Sequence, residues 1–274
     1  MRQARYCGLI LFLLILFPAL WIPRLRYLSE TERLDDRTVS SPEFRSQPLT
    51  DSRIDEIKEI STPGELLGIY WLETDFGQEK VRSNITEMSA CRARWELRPG
   101  WSSYISACSA VWDDLNYFPV AESTDGTGPS VSFEDSWMYG RSYGGDRGHE
   151  GTDIMPSVNE RGVLPVVSMT DGVVESKGWL ELGGYRLGIR APHGGYFYYA
   201  HLDSYADLEE GDRVNAGDLL GYMGDTGYSK IEGTTGNFPV HLHLGIYVDT
   251  GKEEVSVNPY PALRYVEDKV VRYK

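Results

Sequence analysis

The C-terminal half of the chain is dominated by short runs of Val, Leu, Ile and Tyr that are separated by glycine-rich turns. Runs of this length, interrupted this often, are typical of strands rather than helices and predict an antiparallel all-β fold. We place this domain at residues 131–274 of the 274-residue chain. Its predicted strands lie within Leu164–Met169, Gly172–Trp179, Tyr185–Ala191, Gly195–His201, Arg213–Tyr222 and Val240–Val248.

Histidines within this region are spaced like metal ligands. The chain has five histidines, and His149 lies four residues before Asp153 while His241 and His243 flank a single leucine. On a strand, side chains two residues apart point to the same face, so the latter pair projects together. A catalytic zinc ion normally has three protein ligands, nitrogen or carboxylate oxygen, and one open position. His149, Asp153 and one histidine of the pair would supply such a set, with His201 between the two motifs.

Four motifs in this order resemble those of the lysostaphin-type, LytM-like zinc metallopeptidases, which cut the peptides of peptidoglycan. The resemblance covers roughly residues 143–257, and it is specific because all four motifs occur in the family's order. The motifs are Gly148-His149-Glu150-Gly151-Thr152-Asp153, Tyr198-Tyr199-Ala200-His201-Leu202, Gly221-Tyr222-Met223-Gly224-Asp225-Thr226-Gly227 and His241-Leu242-His243-Leu244.

This resemblance implies a fold, a cofactor and a role for each site residue. The fold would be an antiparallel β-sandwich-like domain of the duplicated-hybrid-motif type, with Zn²⁺ in a groove on one sheet. The implied metal ligands are His149, Asp153 and His243. His201 and His241 would be the catalytic histidines, one taking a proton from water and the other stabilising the oxyanion or protonating the leaving amine. Tyr143 would be a further donor to the oxyanion.

The N-terminus contains an apolar segment, Tyr6 to Ile22, that has no charged residue and is flanked by arginines on both sides. Seventeen residues at ~1.5 Å per residue cross most of a hydrocarbon core of about 30 Å. The bulky, charged sequence that follows does not suit signal peptidase, so we favour an uncleaved anchor over a cleaved signal peptide. We expect residues 1–27 to be a single transmembrane helix in the cell membrane, with the remainder extracytoplasmic.

Three further segments complete the predicted organisation. Residues 28–61 are polar and are expected to form a stalk, 62–119 a small α-helical domain, and 120–130 a linker rich in Gly, Ser and Thr. Cys91 and Cys108 lie in the helical segment, and the sequence leaves open whether they form a disulfide or remain free thiols.

Composition narrows the function further. A net charge of −14 argues against a nucleic-acid partner, because such binding depends on a basic surface. Together, the family resemblance and the apolar segment imply a membrane-anchored zinc endopeptidase acting on peptidoglycan stems or crosslinks. Two alternatives are an interaction protein that activates or scaffolds other wall proteins, and a module that binds wall peptides without cutting them. Protein partners of the helical domain are left open. A glycine-rich loop at residues 228–240 is predicted to overhang the groove and restrict the substrate.

Overall fold

The structure is a computed structural model that describes Phe17, Trp21, residues 32–79 and residues 83–273. Six α-helices lie in these ranges: α1 Pro42–Arg45, α2 Asp51–Ile57, α3 Gly64–Thr74, α4 Arg92–Trp95, α5 Trp101–Trp112 and α6 Tyr260–Val266. Two 3-10 helices, Thr38–Ser40 and Ile85–Cys91, lie among them. The predicted anchor falls outside the described residues except at Phe17 and Trp21. Within the described ranges, every helix is too short or too polar to span a bilayer.

The strands run from residue 122 to residue 273. They are β1 Glu122–Ser123, β2 Val131–Phe133, β3 Gly140–Arg141, β4 Arg147–Gly148, β5 Thr152–Pro156, β6 Pro165–Val167, β7 Gly172–Leu180, β8 Gly184–Arg190, β9 Tyr196–Tyr205, β10 Arg213–Val214, β11 Leu219–Met223, β12 Leu242–Asp249, β13 Glu254–Val257 and β14 Arg272–Tyr273. In the described chain, ten of them form one antiparallel sheet with the central path β10-β7-β8-β9-β12-β5-β2. The expected mostly β domain with a helical segment before it is confirmed.

The sheet has one buried face and one face that is open to solvent. Along β12, the side chains of Leu242, Leu244, Ile246 and Val248 are buried, while the alternate positions face the other way. Helix α5 packs behind β12, and its Ala110 carbonyl lies so close to Gly195, just before β9, that a side chain there would collide with it. The helical segment therefore covers the back of the sheet and leaves the front face for a site.

The expected polar stalk at residues 28–61 is wrong for most of its described part. Phe44 is 0% exposed, and its ring lies 6.3 Å from Trp71 and 5.6 Å from Tyr104. Ile54 and Ile57 of α2 are buried as well. Each of these short helices contributes only one or two apolar side chains, so the average composition stays polar although the segment is packed.

The expected linker also differs from the structure, and the open question about the two cysteines is answered. Val120 and Ala121 at the start of the predicted linker are buried, and β1 pairs in parallel with β14 at the end of the chain. This segment is therefore part of the folded body rather than a spacer between two bodies. Cys91 and Cys108 are both free thiols.

Candidate metal centre and active site

Strand register brings Asp153 and His243 together. They are directly opposite each other on the antiparallel neighbours β5 and β12, and both belong to the open face of the sheet. His149 precedes β5 in the turn after β4 and is 2% exposed. Gly151 lies under the His243 ring, where a Cβ atom would be only 2.4 Å from His243 Cε1. A glycine is therefore needed here to let this imidazole approach the other two side chains.

Three ligand-type atoms converge at this point. His149 Nε2 lies 2.9 Å from His243 Nδ1 and 3.0 Å from Asp153 Oδ1, and the last two atoms are 3.1 Å apart. A tetrahedral zinc ion with bonds of about 2.0–2.2 Å separates its ligand atoms by roughly 3.3–3.6 Å. The observed triangle is within a few tenths of an ångström of that spacing. In the described part of the chain, this trio is the group of His, Cys, Asp or Glu side chains that could hold a metal ion.

Neighbouring groups set the protonation of these ligands. His149 Nδ1 lies 3.0 Å from Ser136 Oγ and 3.2 Å from the Ser136 carbonyl oxygen. Because a carbonyl only accepts, Nδ1 carries a proton, and in the neutral form of the ring Nε2 would be the atom that binds a cation. Arg141 Nη2 donates to Asp153 Oδ2 at 2.6 Å and holds the second carboxylate oxygen away from the trio.

The electrostatic setting favours a cation at this position. Burial raises the pKa of Asp153, but hydrogen bonds with His149 and His243 outweigh it and keep that pKa well below its ordinary value. Burial also lowers the pKa of His243, which favours the neutral imidazole. A carboxylate and neutral imidazoles are the protonation states that metal binding requires.

Two more histidines lie beside the trio. Alternation along β9 would turn His201 toward the core, but its left-handed backbone, with φ 63°, interrupts the alternation. Its ring centroid lies 4.7 Å from that of His241 and 6.0 Å from that of His243. His201 Nδ1 donates to the Thr226 carbonyl at 2.7 Å. Burial, followed by the charges of the neighbouring histidines, lowers the pKa of His201 well below its ordinary value.

His241 has the same arrangement of its two ring nitrogens. Its Nδ1 donates to the Pro239 carbonyl at 2.8 Å, and its Nε2 lies 3.7 Å from Asp153 Oδ1. The two carbonyls assign the proton to Nδ1 in both rings. In the neutral form of either ring, Nε2 is therefore the atom that can accept a proton.

An aromatic wall borders these histidines. Tyr143 stacks on Tyr228 with ring centroids 4.4 Å apart, and Tyr228 lies 4.7 Å from Phe238. Phe238 in turn lies 4.6 Å from His201. The loop at residues 228–240 thus contributes two rings next to the histidines, and Tyr143 contacts the site through Tyr228. The oxyanion role of Tyr143 remains a prediction.

The trio, His201 and His241 line one cleft of about 570 Å³ on the open face of the sheet. All five histidine and aspartate positions identified in the sequence are therefore brought together. Other residues in or beside this cleft had no role in the sequence-based prediction: Ser136, Arg141, Arg147, Arg186, Tyr196 and Tyr247, and Tyr198, which appeared there only within a motif. Only the tyrosines had a usable signal, because Tyr247 is an even number of residues from His243 on the same strand.

Comparison with known proteins agrees with this architecture. The sequence models of the LytM N-terminal domain and of peptidase family M23 match residues 29–114 and 147–259. A crystal structure from Ruminococcus gnavus ATCC 29149, described as a glycyl-glycine endopeptidase lytM, is 51% identical with a TM-score of 0.83. The match covers 89% of this chain and 98% of that one. The chain belongs to peptidase family M23.

Two relatives that match this chain in the M23 region are named for different activities. The L-Ala–D-Glu endopeptidase of Bacillus subtilis (strain 168) is 44% identical over 148 residues, which cover 54% of this chain and 42% of that protein. The glycyl-glycine endopeptidase ALE-1 of Staphylococcus capitis is 29% identical over 143 residues, covering 49% of this chain and 36% of that protein. This chain thus spans less than half the length of either relative. The predicted resemblance to lysostaphin-type peptidases is confirmed.

Proposed function

We propose that this protein is a zinc endopeptidase that hydrolyses peptide bonds of peptidoglycan stems or crosslinks. The observation that carries the proposal is the convergence of His149, Asp153 and His243 ligand atoms, all within 3.1 Å of one another, beside two further histidines. Membership of a peptidase family and relatives named as endopeptidases support it.

Zinc suits the donor set of two imidazoles and one carboxylate, and three protein ligands leave a position open. Zinc bound there would supply a Lewis acid that polarises the substrate carbonyl and acidifies water. The side chains that hold it are His149, Asp153 and His243. Arg141 binds the second carboxylate oxygen of Asp153, and Ser136 contacts the second ring nitrogen of His149. These two contacts keep both side chains in orientation.

His201 and His241 handle the proton in this proposal. Each has a free Nε2 facing the cleft and a Nδ1 proton tied to a backbone carbonyl, at 2.7 Å and 2.8 Å. His241 is the nearer to a ligand oxygen and is the better placed to accept the proton that water gives up. His201 is the more buried, and its lowered pKa favours the neutral ring. Tyr143 stiffens the wall and donates its hydroxyl to the oxyanion.

Substrate and location extend the proposal. The curated relatives differ in identity, 44% with the L-Ala–D-Glu endopeptidase and 29% with the glycyl-glycine endopeptidase ALE-1, while the crystal structure described as a glycyl-glycine endopeptidase is 51% identical. Stem peptides and glycine bridges are therefore both candidate substrates. The apolar segment Tyr6 to Ile22 supports anchoring in the cell membrane with the peptidase outside, where peptidoglycan lies.

Assays on purified full-length protein test the reaction. It is incubated with stem peptides and with glycine-bridged peptidoglycan, with and without chelator, and products are identified by mass spectrometry. Chelator-sensitive release of new amino termini is the expected result. Asp153→Ala is expected to lose both zinc and cleavage. His201→Ala and His241→Ala are expected to retain zinc and lose about 100-fold or more in rate.

The alternatives give different results in the same assay. A protein that binds these peptides with zinc present but releases no amino termini would be a binding module. A protein that neither binds nor cuts them would be a scaffold or activator. The complete set of ligands and histidines at the site favours hydrolysis over both.

A further inference from the structure

The acidic side chains that line the cleft are already paired. Glu150 accepts from Arg45 Nη2 at 2.7 Å, and Glu254 is 2.7 Å from Arg190 Nη2. Asp153 belongs to the ligand trio. Arginines outside the cleft thus neutralise two of its carboxylates, and the third, Asp153, is a candidate metal ligand. The cleft therefore differs from the chain as a whole, which has a net charge of −14.

Two arginines in the same cleft have no such partner. Arg147 and Arg186 line the cleft, and neither forms an ion pair with any residue the structure describes. Arg147 Nε and Arg186 Nη1 are buried without a hydrogen-bond acceptor in those same ranges. Buried charged donors normally have a hydrogen-bond acceptor. Two guanidinium groups that lack one beside the same cleft indicate that a bound ligand supplies the acceptor. Guanidinium matches a carboxylate in shape and charge.

Strand register locates Arg186 relative to the metal group. On β8, Arg186 lies at a register irregularity between residues paired with Tyr199 and Leu202 of β9, which is the level of Ala200 and His201. Ala200 is opposite His243 on β12. Two strand spacings of about 4.8 Å separate the backbones of β8 and β12, or ~10 Å in all. An extended peptide rises ~3.3 Å per residue, so Arg186 is about three residues from the bond at the metal group.

Arg147 lies on β4, two residues before His149. Two residues of extended chain span at most about 7 Å, so Arg147 is also close to the metal group. Its positive charge acts on Tyr247, a residue of the same cleft whose burial raises its pKa to about 12. Arg186 acts in the same way on Tyr196 and Tyr198. Both guanidinium groups therefore lie among the tyrosines of the cleft floor.

We propose that Arg147 and Arg186 form a carboxylate-binding subsite that selects peptides with a free carboxylate within about three residues of the scissile bond. This inference rests on the proposed endopeptidase function and specifies its substrate class. It predicts that an acidic residue beside the cut bond is recognised and that its neutral amide is rejected. A glycine-only peptide, which has no side-chain carboxylate, would bind poorly.

A matched pair of probes tests the subsite by binding. Acetyl-L-alanyl-D-glutamyl-glycinamide has a single free carboxylate, and in its D-glutaminyl twin that group is a carboxamide. Both are titrated calorimetrically into zinc-loaded full-length protein carrying His241→Ala, in which turnover is slowed about 100-fold or more. We expect the carboxylate peptide to bind about 10- to 100-fold more tightly. Arg147→Gln and Arg186→Gln should each reduce this ratio, and the double variant should abolish it.

Control variants separate recognition from charge and from folding. Arg213→Gln removes the same charge from an exposed position on β10 and should leave the ratio unchanged. Arg186→Lys retains the charge without the planar fork and should restore part of the ratio. Circular dichroism confirms that each variant is folded. Equal binding of the two probes, undetectable binding of both, or a ratio that survives the double variant would overturn the proposal.

Cleavage distinguishes failure of the subsite from failure of the enzyme. Chelator-sensitive cleavage of peptidoglycan without any carboxylate preference refutes the subsite and leaves the endopeptidase intact. An arginine-dependent carboxylate preference without cleavage of any peptide supports the subsite and refutes the endopeptidase.

Discussion

Gly151→Ala is expected to weaken metal binding without changing any ligand. A Cβ atom at this position would be 2.4 Å from His243 Cε1 and 2.6 Å from His243 Nε2. Ordinary contacts start at 3.4 Å, so the ring carbon would have to retreat by 1.0 Å. Metal–ligand distances tolerate shifts of only about 0.2 Å. We therefore expect zinc affinity to fall at least 10- to 100-fold, with hydrolysis falling by about 100-fold or more.

Gly140→Ala is the matched control for this prediction. Gly140 lies on β3 near the same cleft, and a Cβ there meets nothing within 4 Å. Zinc affinity is measured for both variants by competition with a chromophoric chelator, after circular dichroism shows that each is folded. The Leu244 carbonyl is also 2.6 Å from the new Cβ of Gly151→Ala, so we expect some loss of thermal stability in addition. A zinc affinity within twofold of the control would refute the steric reasoning.

Three further outcomes are expected. Phe44→Ala should lower the free energy of unfolding by about 3–5 kcal/mol in urea titrations, whereas Leu97→Ala, at a side chain 90% exposed, should change it by less than about 0.5 kcal/mol. The hydrogen bond with Asp114 raises the pKa of His193 in the folded state. The protonated His193 therefore stabilises the fold at pH values below the unfolded-state pKa, and this stabilisation is lost as pH rises through the folded-state pKa. The His193 side chain is 49% exposed, so His193→Gln should lower the free energy of unfolding by less than about 1 kcal/mol. This loss should be larger at pH ~5.5 than at pH ~8.5, and the reverse order would contradict the reasoning. Arg141→Gln should reduce zinc affinity about 10-fold by freeing the ligand carboxylate, and chelator competition that shows no change would exclude this positioning role.

The sequence was sufficient to predict the strand-rich domain and the residues that share its open face. Period-two alternation is a local property, so the strand character of residues 240–248 and the common direction of His241 and His243 can be read without a structure. Motif spacing and donor type selected His149, Asp153 and one histidine of the pair as candidate ligands, and the family resemblance favoured His243 within the pair.

Only the tertiary structure shows which residues from distant parts of the sequence lie next to one another. The register between β5 and β12 puts Asp153 opposite His243, and the left-handed backbone of His201 turns that ring into the cleft. Phe44 is buried because of helices far away in sequence, although its own segment is polar. Among the residues that the structure describes, Arg147 and Arg186 lack an ion-pair partner, and this likewise depends on where the acidic groups lie after folding. Pairing between distant residues is a property of the folded chain as a whole, and no window of neighbouring residues contains it.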